Sequence, residues 1–157
     1  MTLLVFDLDF TLWDAGGTWC DHTRPPYRIR NGKVLDMDNS HIRLYPDVLP
    51  VLCELHQKNV PMAIASRTGE PSWARELMGL LNIQRYFKYE EIYPTTKTRH
   101  FKQLANQSGK AFSDMIFFDD EYRNIQDVAA LGVKAVHVPK GLTRKIVMDA
   151  LMHSPRA

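Results

Sequence analysis

The sequence predicts an α/β protein in which a mainly parallel central sheet is covered by helices on both faces. Two observations support this fold class. Short apolar stretches of strand length alternate with longer stretches in which apolar residues recur every three or four positions. Polar residues directly follow several of the apolar stretches, at the points where strands would end. Strands alternating with helices are typical of a parallel sheet, because each connection has to cross back over a face of the sheet.

The N-terminal part of the chain contains one strand and an insertion. The strand spans about 3–7, and the segment after it, roughly 14–44, has no helical periodicity. Within that segment Asn31 and Gly32 separate two alternating stretches, which is the strongest short-range signal for a β-hairpin. We therefore predict a small two-stranded flap that leans on the main body, because an isolated hairpin is only marginally stable.

The rest of the chain alternates regularly between helices and strands. Pro71 falls where a helix should begin, and Gly132 falls where one should end. In chain order we predict a helix over about 48–56, a strand over 60–65, a helix from 71, a short strand over 89–92, a helix containing 101–105, a strand over 115–118, a helix over 125–131, a strand over 133–138 and a helix from about 142.

Length and composition predict a single domain over residues 1–157. The hydrophobic share of 45% and the charged share of 24% are ordinary for a soluble protein, and a net charge of +2 argues against nucleic acid or a membrane surface as partner. No apolar run approaches the roughly 18 residues of a membrane span, and we expect no signal peptide. Cys20 and Cys53 lie in dissimilar contexts, so we predict free thiols and a cytoplasmic location.

Polar residues that could take part in catalysis or binding are concentrated at the predicted strand ends. Asp7 and Asp9 end the first strand, and residues two apart in an extended backbone point to the same side. Since the carboxyl ends of parallel strands meet at one edge of a sheet, the other polar residues should converge with them. Those residues are Ser66 and Arg67 after the second strand, Lys97 at a helix start, and Asp119 and Asp120 after the fourth strand.

This set of side chains favours phosphoryl chemistry with a magnesium ion. Neighbouring carboxylates repel one another unless a counter-charge is present, and a few carboxylates with open positions for water suit Mg²⁺ better than Ca²⁺. A cation beside a carboxylate, a lysine and a hydroxyl matches what a transferring phosphoryl group requires. Asp7 is then the candidate nucleophile and Asp9 the candidate acid and base, while Ser66 and Lys97 would hold the phosphoryl oxygens.

The motifs resemble those of a known enzyme superfamily. The stretch from Asp7 to Thr11, DLDFT, matches the DxDx[TV] signature of the haloacid dehalogenase phosphohydrolases, and Ser66, Lys97 and the Asp119–Asp120 pair lie where the other three motifs are expected. The stretches FDLDFTLW, ASRT, EIYP and FFDDE are similar to the magnesium-dependent phosphatase subfamily. The resemblance covers nearly the whole chain. It implies a Rossmann-like three-layer sandwich, Mg²⁺ as cofactor, an aspartyl-phosphate intermediate, and a β-hairpin flap in place of a cap domain.

The resemblance also implies individual roles. Asp7 is similar to the nucleophile, and Asp9 to the acid and base that gives the metal its backbone carbonyl. The implied metal ligands are Asp7, Asp9 and Asp120. Asp119 and Asn124 would contact these ligands and orient them without binding the metal. The implied substrate and phosphate contacts are Leu8 through its amide, Thr11, Ser66, Arg67 and Lys97, and Trp19 is a further candidate from its place in the flap. Trp19 either stacks on an aromatic or sugar leaving group or packs the flap onto the body.

We therefore expect a magnesium-dependent phosphomonoester hydrolase that acts on a phosphotyrosine-type or a small sugar-phosphate substrate, and the sequence leaves both open. One alternative is a receiver-like switch, which also combines acidic residues, a hydroxyl and a lysine on a doubly wound sheet. Its phosphorylated aspartate would stand alone on a middle strand, whereas here the second strand ends at Ser66. A second alternative, an inactive adaptor with the same fold, would lack one of the four motifs, and all four are present.

Overall fold

The structure is a computed structural model that describes residues 1–153. This part of the chain contains nine strands and five α-helices. The strands are β1 (Leu3–Phe6), β2 (Trp13–Ala15), β3 (Arg28–Arg30), β4 (Lys33–Leu35), β5 (His41–Leu44), β6 (Met62–Ser66), β7 (Tyr89–Ile92), β8 (Met115–Asp119) and β9 (Lys134–His137). The helices are α1 (Val48–Gln57), α2 (Pro71–Leu80), α3 (Lys97–Ser108), α4 (Tyr122–Ala129) and α5 (Arg144–Met152). Residues 154–157 of the predicted domain lie outside the described residues.

The central sheet has five strands in the order β7-β6-β1-β8-β9, and every neighbouring pair is parallel. Numbered by their appearance in the chain, these strands run 3-2-1-4-5 across the sheet, so the order reverses between β1 and β8. This arrangement confirms the predicted parallel sheet. A receiver-like domain has the order 2-1-3-4-5, so the sheet does not have the receiver topology.

Helices cover both faces of this sheet. Alternate residues of its inner strands point to opposite faces, and apolar side chains on each face are buried by a different set of helices. Leu4 and Phe6 of β1 pack in one core cluster with side chains of α1, α2 and α5. Leu3 and Val5 pack in a second cluster with side chains of α3 and α4. The predicted three-layer sandwich is therefore confirmed, and its β1 strand is buried on both faces.

The insertion forms a four-stranded antiparallel sheet in the order β2-β5-β4-β3. The predicted hairpin is present as β3 and β4, with Asn31 and Gly32 at positive φ angles of 53° and 76°, as a tight hairpin turn requires. The sequence missed β2 and β5, which have only three and four residues and show too short an alternation to detect. Buried side chains of β2, β4 and β5 enter the same core cluster as α1, and this packing docks the flap on the main body.

Two further predictions concern cysteines and membranes. Cys20 and Cys53 are both free thiols, as predicted, with Cys20 buried and Cys53 half-buried. None of the helices described within residues 1–153 combines the length and the apolar character that a membrane span requires.

Candidate active site

A tight turn after β1 places the first acidic motif at the carboxyl edge of the sheet. The Asp7 amide donates to the Phe118 carbonyl at 3.0 Å, which continues the pairing of β1 with β8. The chain then folds back on the buried residue Leu8, whose carbonyl accepts from the amides of Thr11, Leu12 and Trp13 at 3.1, 2.9 and 3.3 Å. Asp7 and Asp9 are consequently held beside the ends of the neighbouring strands.

Lys97 lies at the centre of the site, at the first position of α3. The Thr96 hydroxyl caps this helix by accepting from the Arg99 amide at 3.4 Å. Only 1% of Lys97 is exposed, and its Nζ lies 3.1 Å from Asp7 Oδ1 and 3.3 Å from Asp119 Oδ2. Burial lowers the pKa of Lys97, but the charges of Asp7 and Asp119 outweigh this effect and raise it above its ordinary value. The lysine therefore stays charged.

Three carboxylates cluster at this point, and two of them, Asp7 and Asp119, contact the ammonium group. One oxygen from each of Asp7, Asp119 and Asp120 lies within 4.8 Å of the others. Burial and the nearby charge of Asp7 raise the pKa of Asp120 to about 9 and that of Asp119 to about 6. A single lysine does not balance three carboxylates, and clustered carboxylate oxygens are the ligands that Mg²⁺ prefers. The residues present therefore fit a magnesium ion.

Asp119 and Asp120 differ in what already binds them. Asp119 is fully buried, and it accepts from the Glu121 amide at 2.8 Å and from Asn124 Nδ2 at 3.0 Å in addition to Lys97. Asp120 is half-buried, and its Oδ1 lies 3.5 Å from the Thr11 hydroxyl. Asp120 is therefore the more accessible of the two carboxylates, while Asp119 holds the lysine and Asn124 in place.

Asp9 occupies a separate position at the wall of the site. Its Oδ1 accepts from the Trp13 indole at 2.7 Å and from the Cys20 amide at 2.8 Å. Burial raises the pKa of Asp9, and the two hydrogen bonds oppose that effect. Its carboxylate is not part of the three-carboxylate cluster found within residues 1–153. The predicted metal contact of Asp9 concerns its backbone carbonyl, so the cluster does not bear on it.

Thr11 lies between two of the carboxylates. Its side chain is fully buried, and its hydroxyl lies 3.3 Å from Asp7 Oδ2 and 3.5 Å from Asp120 Oδ1. The expected contact of Thr11 with phosphate stays a prediction. The tight turn directs it between two carboxylates, where it can orient them.

A cavity of about 310 Å³ opens above these groups. Most of the predicted site residues line it: Asp7, Asp9, Trp19, Ser66, Arg67, Lys97 and Asn124. Four lining residues were missed, namely Asp21, His22, Thr68 and Glu121. Thr68 and Glu121 are the last residues of the quoted stretches ASRT and FFDDE and could have been included on that ground. Nothing in the sequence marks Asp21 and His22 except their proximity to Trp19.

Residues that follow β6 and β8 form the polar side of the cavity and are linked by hydrogen bonds. Ser66 ends β6 with 2% of its surface exposed, and its Oγ accepts from the Thr68 amide at 3.3 Å. Arg67 is exposed, and its Nη1 donates to Asn124 Oδ1 at 3.2 Å. Because Asn124 also donates to Asp119, it links the exposed arginine to the buried acidic cluster.

The flap borders the cavity through the loop after β2, and the β3–β4 hairpin contributes none of the lining residues among residues 1–153. Trp19 is 46% exposed and makes edge contacts with Phe10 and His22, with ring centroids 6.3 and 5.2 Å apart. Asp21 Oδ2 accepts from the Gly69 amide at 3.1 Å, which ties this loop to the loop after β6. Trp19 thus both packs on its neighbours and presents a face at the mouth.

Comparisons with known proteins agree with this geometry. A family model described as Acid Phosphatase matches residues 1–156. Magnesium-dependent phosphatase 1 of Homo sapiens is 45% identical over 151 residues, which cover 95% of this chain and 84% of the human protein. A HAD-like hydrolase superfamily protein of Schizosaccharomyces pombe is 35% identical over 143 residues, which cover 83% of this chain and 81% of that protein.

Solved structures with low sequence identity share the fold. A HAD phosphatase from Thermococcus onnurineus superposes with a TM-score of 0.69 at 12% identity, covering 100% of both chains. A HAD family enzyme from Bacteroides thetaiotaomicron, solved in complex with magnesium and inorganic phosphate, gives a TM-score of 0.68 at 11% identity and covers 94% of this chain and 98% of that one. These findings confirm the resemblance drawn from the motifs. The chain belongs to the Acid Phosphatase family, within the haloacid dehalogenase superfamily.

Proposed function

We propose that this magnesium-dependent phosphatase hydrolyses phosphomonoesters through an aspartyl-phosphate formed on Asp7. One observation carries the proposal: Asp7 lies at the floor of a small cavity, in contact with a buried lysine and within reach of two further carboxylates. A carboxylate held beside a fixed cation at a solvent-accessible cavity is arranged to attack an electrophilic phosphorus atom.

Two carboxyl groups would divide the chemistry. In the first step an oxygen of Asp7 forms a bond to phosphorus while the bond between phosphorus and the ester oxygen breaks, and Asp9 gives its proton to that oxygen. In the second step Asp9 takes a proton from water, which attacks phosphorus and releases Asp7 and inorganic phosphate. The separation of the Asp9 carboxylate from the acidic cluster supports this division, because a group bound to a metal could not carry the proton.

Positive charge and hydrogen-bond donors would hold the phosphoryl oxygens. Lys97 lies against Asp7, the Ser66 hydroxyl lines the same wall, and Arg67 reaches the cavity from the exposed side. Asp7 and Asp120, with the backbone carbonyl of Asp9, would hold Mg²⁺, and Asp119 and Asn124 would support them. When bound, Mg²⁺ neutralises the clustered carboxylates and stabilises the negative charge of the transferring group.

The shape of the cavity favours a small leaving group or a side chain that protrudes from a larger substrate. A volume of about 310 Å³ is at the low end of the range for ligand sites. The half-exposed ring of Trp19 stands at the mouth, where it can contact a phenyl or a sugar ring. Phosphotyrosine-type esters and small sugar phosphates both satisfy these conditions.

A panel of phosphate esters, assayed with Mg²⁺ and with an excess of chelator, tests the proposal. The panel contains phosphotyrosine, p-nitrophenyl phosphate and several hexose and pentose phosphates. Repeated turnover that requires Mg²⁺ is expected for at least one class. A folded preparation that is inert toward every ester in the presence of Mg²⁺ contradicts the proposal and supports the inactive adaptor.

Replacing Trp19 by alanine should weaken recognition of aryl esters. Loss of an aromatic contact at the mouth is expected to lower kcat/KM for p-nitrophenyl phosphate about 2- to 12-fold, since such contacts contribute about 0.5–1.5 kcal/mol. The effect should appear mainly in KM, because Trp19 would contact the leaving group and not the transferring phosphoryl group. Equal kinetics in wild type and Trp19→Ala would mean that this ring only packs against Phe10 and His22.

The stability of the metal-free protein should fall as pH rises, because of Asp120. An unfolded chain releases this proton at about pH 4, whereas burial and the charge of Asp7 raise the folded-state pKa to about 9. Between these values the folded state binds more protons than the unfolded state, so rising pH favours unfolding. Asp120→Asn should flatten this dependence when Tm is followed from pH 5 to pH 9 in chelator.

Magnesium should oppose this loss of stability at high pH, because it binds the ionised carboxylate of Asp120. We expect Mg²⁺ to raise Tm of the wild type, with the largest gain at the alkaline end of the range, and to raise Tm of Asp120→Asn much less. The control is Asp127→Asn, which makes the same change at an exposed position on α4. Equal Mg²⁺ gains in wild type and Asp120→Asn would exclude Asp120 as a ligand.

A further inference from the structure

We propose that Trp13 is a positioning residue for Asp9, holding this carboxyl in the orientation in which it protonates the leaving group. The inference rests on the role proposed for Asp9 above. Trp13 belongs to β2 of the flap sheet and is fully buried, yet its indole Nε1 donates to Asp9 Oδ1 at 2.7 Å. This is a short hydrogen bond for a nitrogen donor, as expected when the acceptor is a carboxylate.

A second donor acts on the same oxygen. The Cys20 amide, eleven positions along the chain from Asp9, lies 2.8 Å from Oδ1. Two N–H groups from different segments fix both the position and the tilt of the carboxyl group. Because both donors use Oδ1, Oδ2 is the oxygen left for proton exchange with a group in the cavity, which Asp9 lines.

Both donors are themselves fixed by the fold. The Trp13 carbonyl accepts from the Phe10 amide at 2.7 Å, and Trp13 pairs with Leu44 of β5. Cys20 is fully buried, with its Sγ 3.6 Å from the Thr68 hydroxyl. Asp9 is therefore held by a rigid frame made from the turn after β1 and the flap. Such a frame keeps a reacting group in place before the substrate binds.

The consequence for the reaction depends on the leaving group. The indole proton does not move, because the proton transferred to the ester oxygen comes from the Asp9 carboxyl as the bond to phosphorus breaks. An alkoxide is a strong base and needs that proton, whereas a nitrophenolate leaves readily without it. Displacing Asp9 should therefore slow the first step of alkyl esters and leave the first step of nitrophenyl esters much less affected, whereas hydrolysis of the shared aspartyl-phosphate would slow equally for both.

The test compares Trp13→Phe with Trp73→Phe, the same substitution at a half-buried tryptophan of α2 that does not line the cavity. Each variant is assayed on glycerol phosphate and on p-nitrophenyl phosphate, and the activities compared are values of kcat/KM, which report the first step alone. Trp13→Phe is expected to lower kcat/KM for the alkyl ester about 10- to 100-fold, the scale of a misplaced catalytic group. Its kcat/KM for the aryl ester should change by less than about threefold, since that leaving group does not need the Asp9 proton.

The Cys20 amide provides a test that does not depend on removing a buried ring. Cys20→Pro deletes the second N–H, whereas Cys20→Ala deletes only the thiol and keeps the donor. The ratio of alkyl to aryl activity is expected to be lower in Cys20→Pro than in Cys20→Ala. If Trp13→Phe fails to fold, as judged by circular dichroism, this pair decides the question.

Asp9→Asn separates failure of this inference from failure of the proposed function. A strong leaving-group dependence in Asp9→Asn that is absent from Trp13→Phe and Cys20→Pro overturns the positioning role and leaves Asp9 as the acid. No leaving-group dependence in Asp9→Asn overturns the assignment of Asp9 itself. An equal loss on both esters in Trp13→Phe and Cys20→Pro also contradicts the inference, because it indicates general damage to packing.

Discussion

The Asp7→Asn variant is expected to lose nearly all activity and to keep its fold. Asparagine has the shape of aspartate but cannot attack phosphorus, so kcat should fall by about 10⁴- to 10⁶-fold, as for other removed nucleophiles. Burial raises the pKa of Asp7, which means that its ionised form is unfavourable in the folded metal-free protein. A neutral residue removes this cost, and Lys97 keeps Asp119 as its counter-charge, so Tm in chelator should be equal to or higher than that of wild type.

Activity and thermal unfolding of Asp7→Asn are measured beside Asp127→Asn, which makes the same change on the exposed side of α4. The control should match the wild type in both measurements. Wild-type turnover in Asp7→Asn would remove Asp7 from the mechanism. Loss of activity together with a large drop in Tm would show that the variant had failed structurally and that Asp7 supports the fold.

Lys97→Ala is expected to lose both activity and stability, unlike Asp7→Asn. The buried ammonium contacts Asp7 and Asp119, and its removal leaves two buried carboxylates without their counter-charge. Breaking a buried ion pair from one side costs about 3–5 kcal/mol, which lowers Tm by roughly 10 °C in a chain of this size. The rate should fall by at least about 10²- to 10³-fold, because a fixed positive charge no longer faces the phosphoryl group.

Two further variants separate the effect of losing the Lys97 charge from the effect of losing its packing. Lys97→Met keeps most of the aliphatic volume beside Phe117, whose ring centroid lies 5.2 Å from Nζ, and removes only the charge. Lys102→Ala makes the alanine substitution at an exposed position of the same helix. We expect Lys97→Met to be as inactive as Lys97→Ala but more stable. Near-normal turnover in Lys97→Met would contradict a role for the ammonium charge in catalysis.

The strands and helices of the main body could be predicted from the sequence, because the pattern of apolar and polar residues that marks each element lies within that element. Three strands of the central sheet, β1, β6 and β8, are short apolar runs, and the polar residues at or after the end of each run identify its carboxyl end. Parallel strands carry those ends to one edge, so Asp7, Ser66 and Asp119 could be placed together before their distances were known. Lys97 was predictable for the same reason, since it begins the helix that leads into β8.

The features that escaped prediction depend on long-range contacts. The hydrogen bond from the Cys20 amide to Asp9 joins two segments whose approach is set by how the flap packs, and no local pattern reports it. Asp119 and Asp120 are neighbours of the same type, and only the resemblance assigned the metal to Asp120 and a supporting place to Asp119, which stays a prediction. The structure distinguishes them because Asp119 is fully buried and bound by Glu121 and Asn124.

The position of Thr11 shows the same limit at short range. Its hydroxyl points between Asp7 and Asp120 because the chain turns sharply on the Leu8 carbonyl. That turn includes Phe10 at a positive φ of 61°, a conformation unusual for an aromatic residue. The motif therefore indicated the region of Thr11, but the contacts of its hydroxyl depend on a turn that residue types alone do not report.

The central claim is that Asp7 becomes phosphorylated during turnover, and trapping this intermediate tests it most directly. The protein is mixed with substrate and Mg²⁺, quenched in acid within milliseconds, reduced with borohydride and digested for mass spectrometry. Borohydride converts an aspartyl-phosphate to homoserine. We expect homoserine at position 7 alone, and only when substrate has been added. Homoserine at position 9, 119 or 120, or an active enzyme that shows none at position 7, would contradict it.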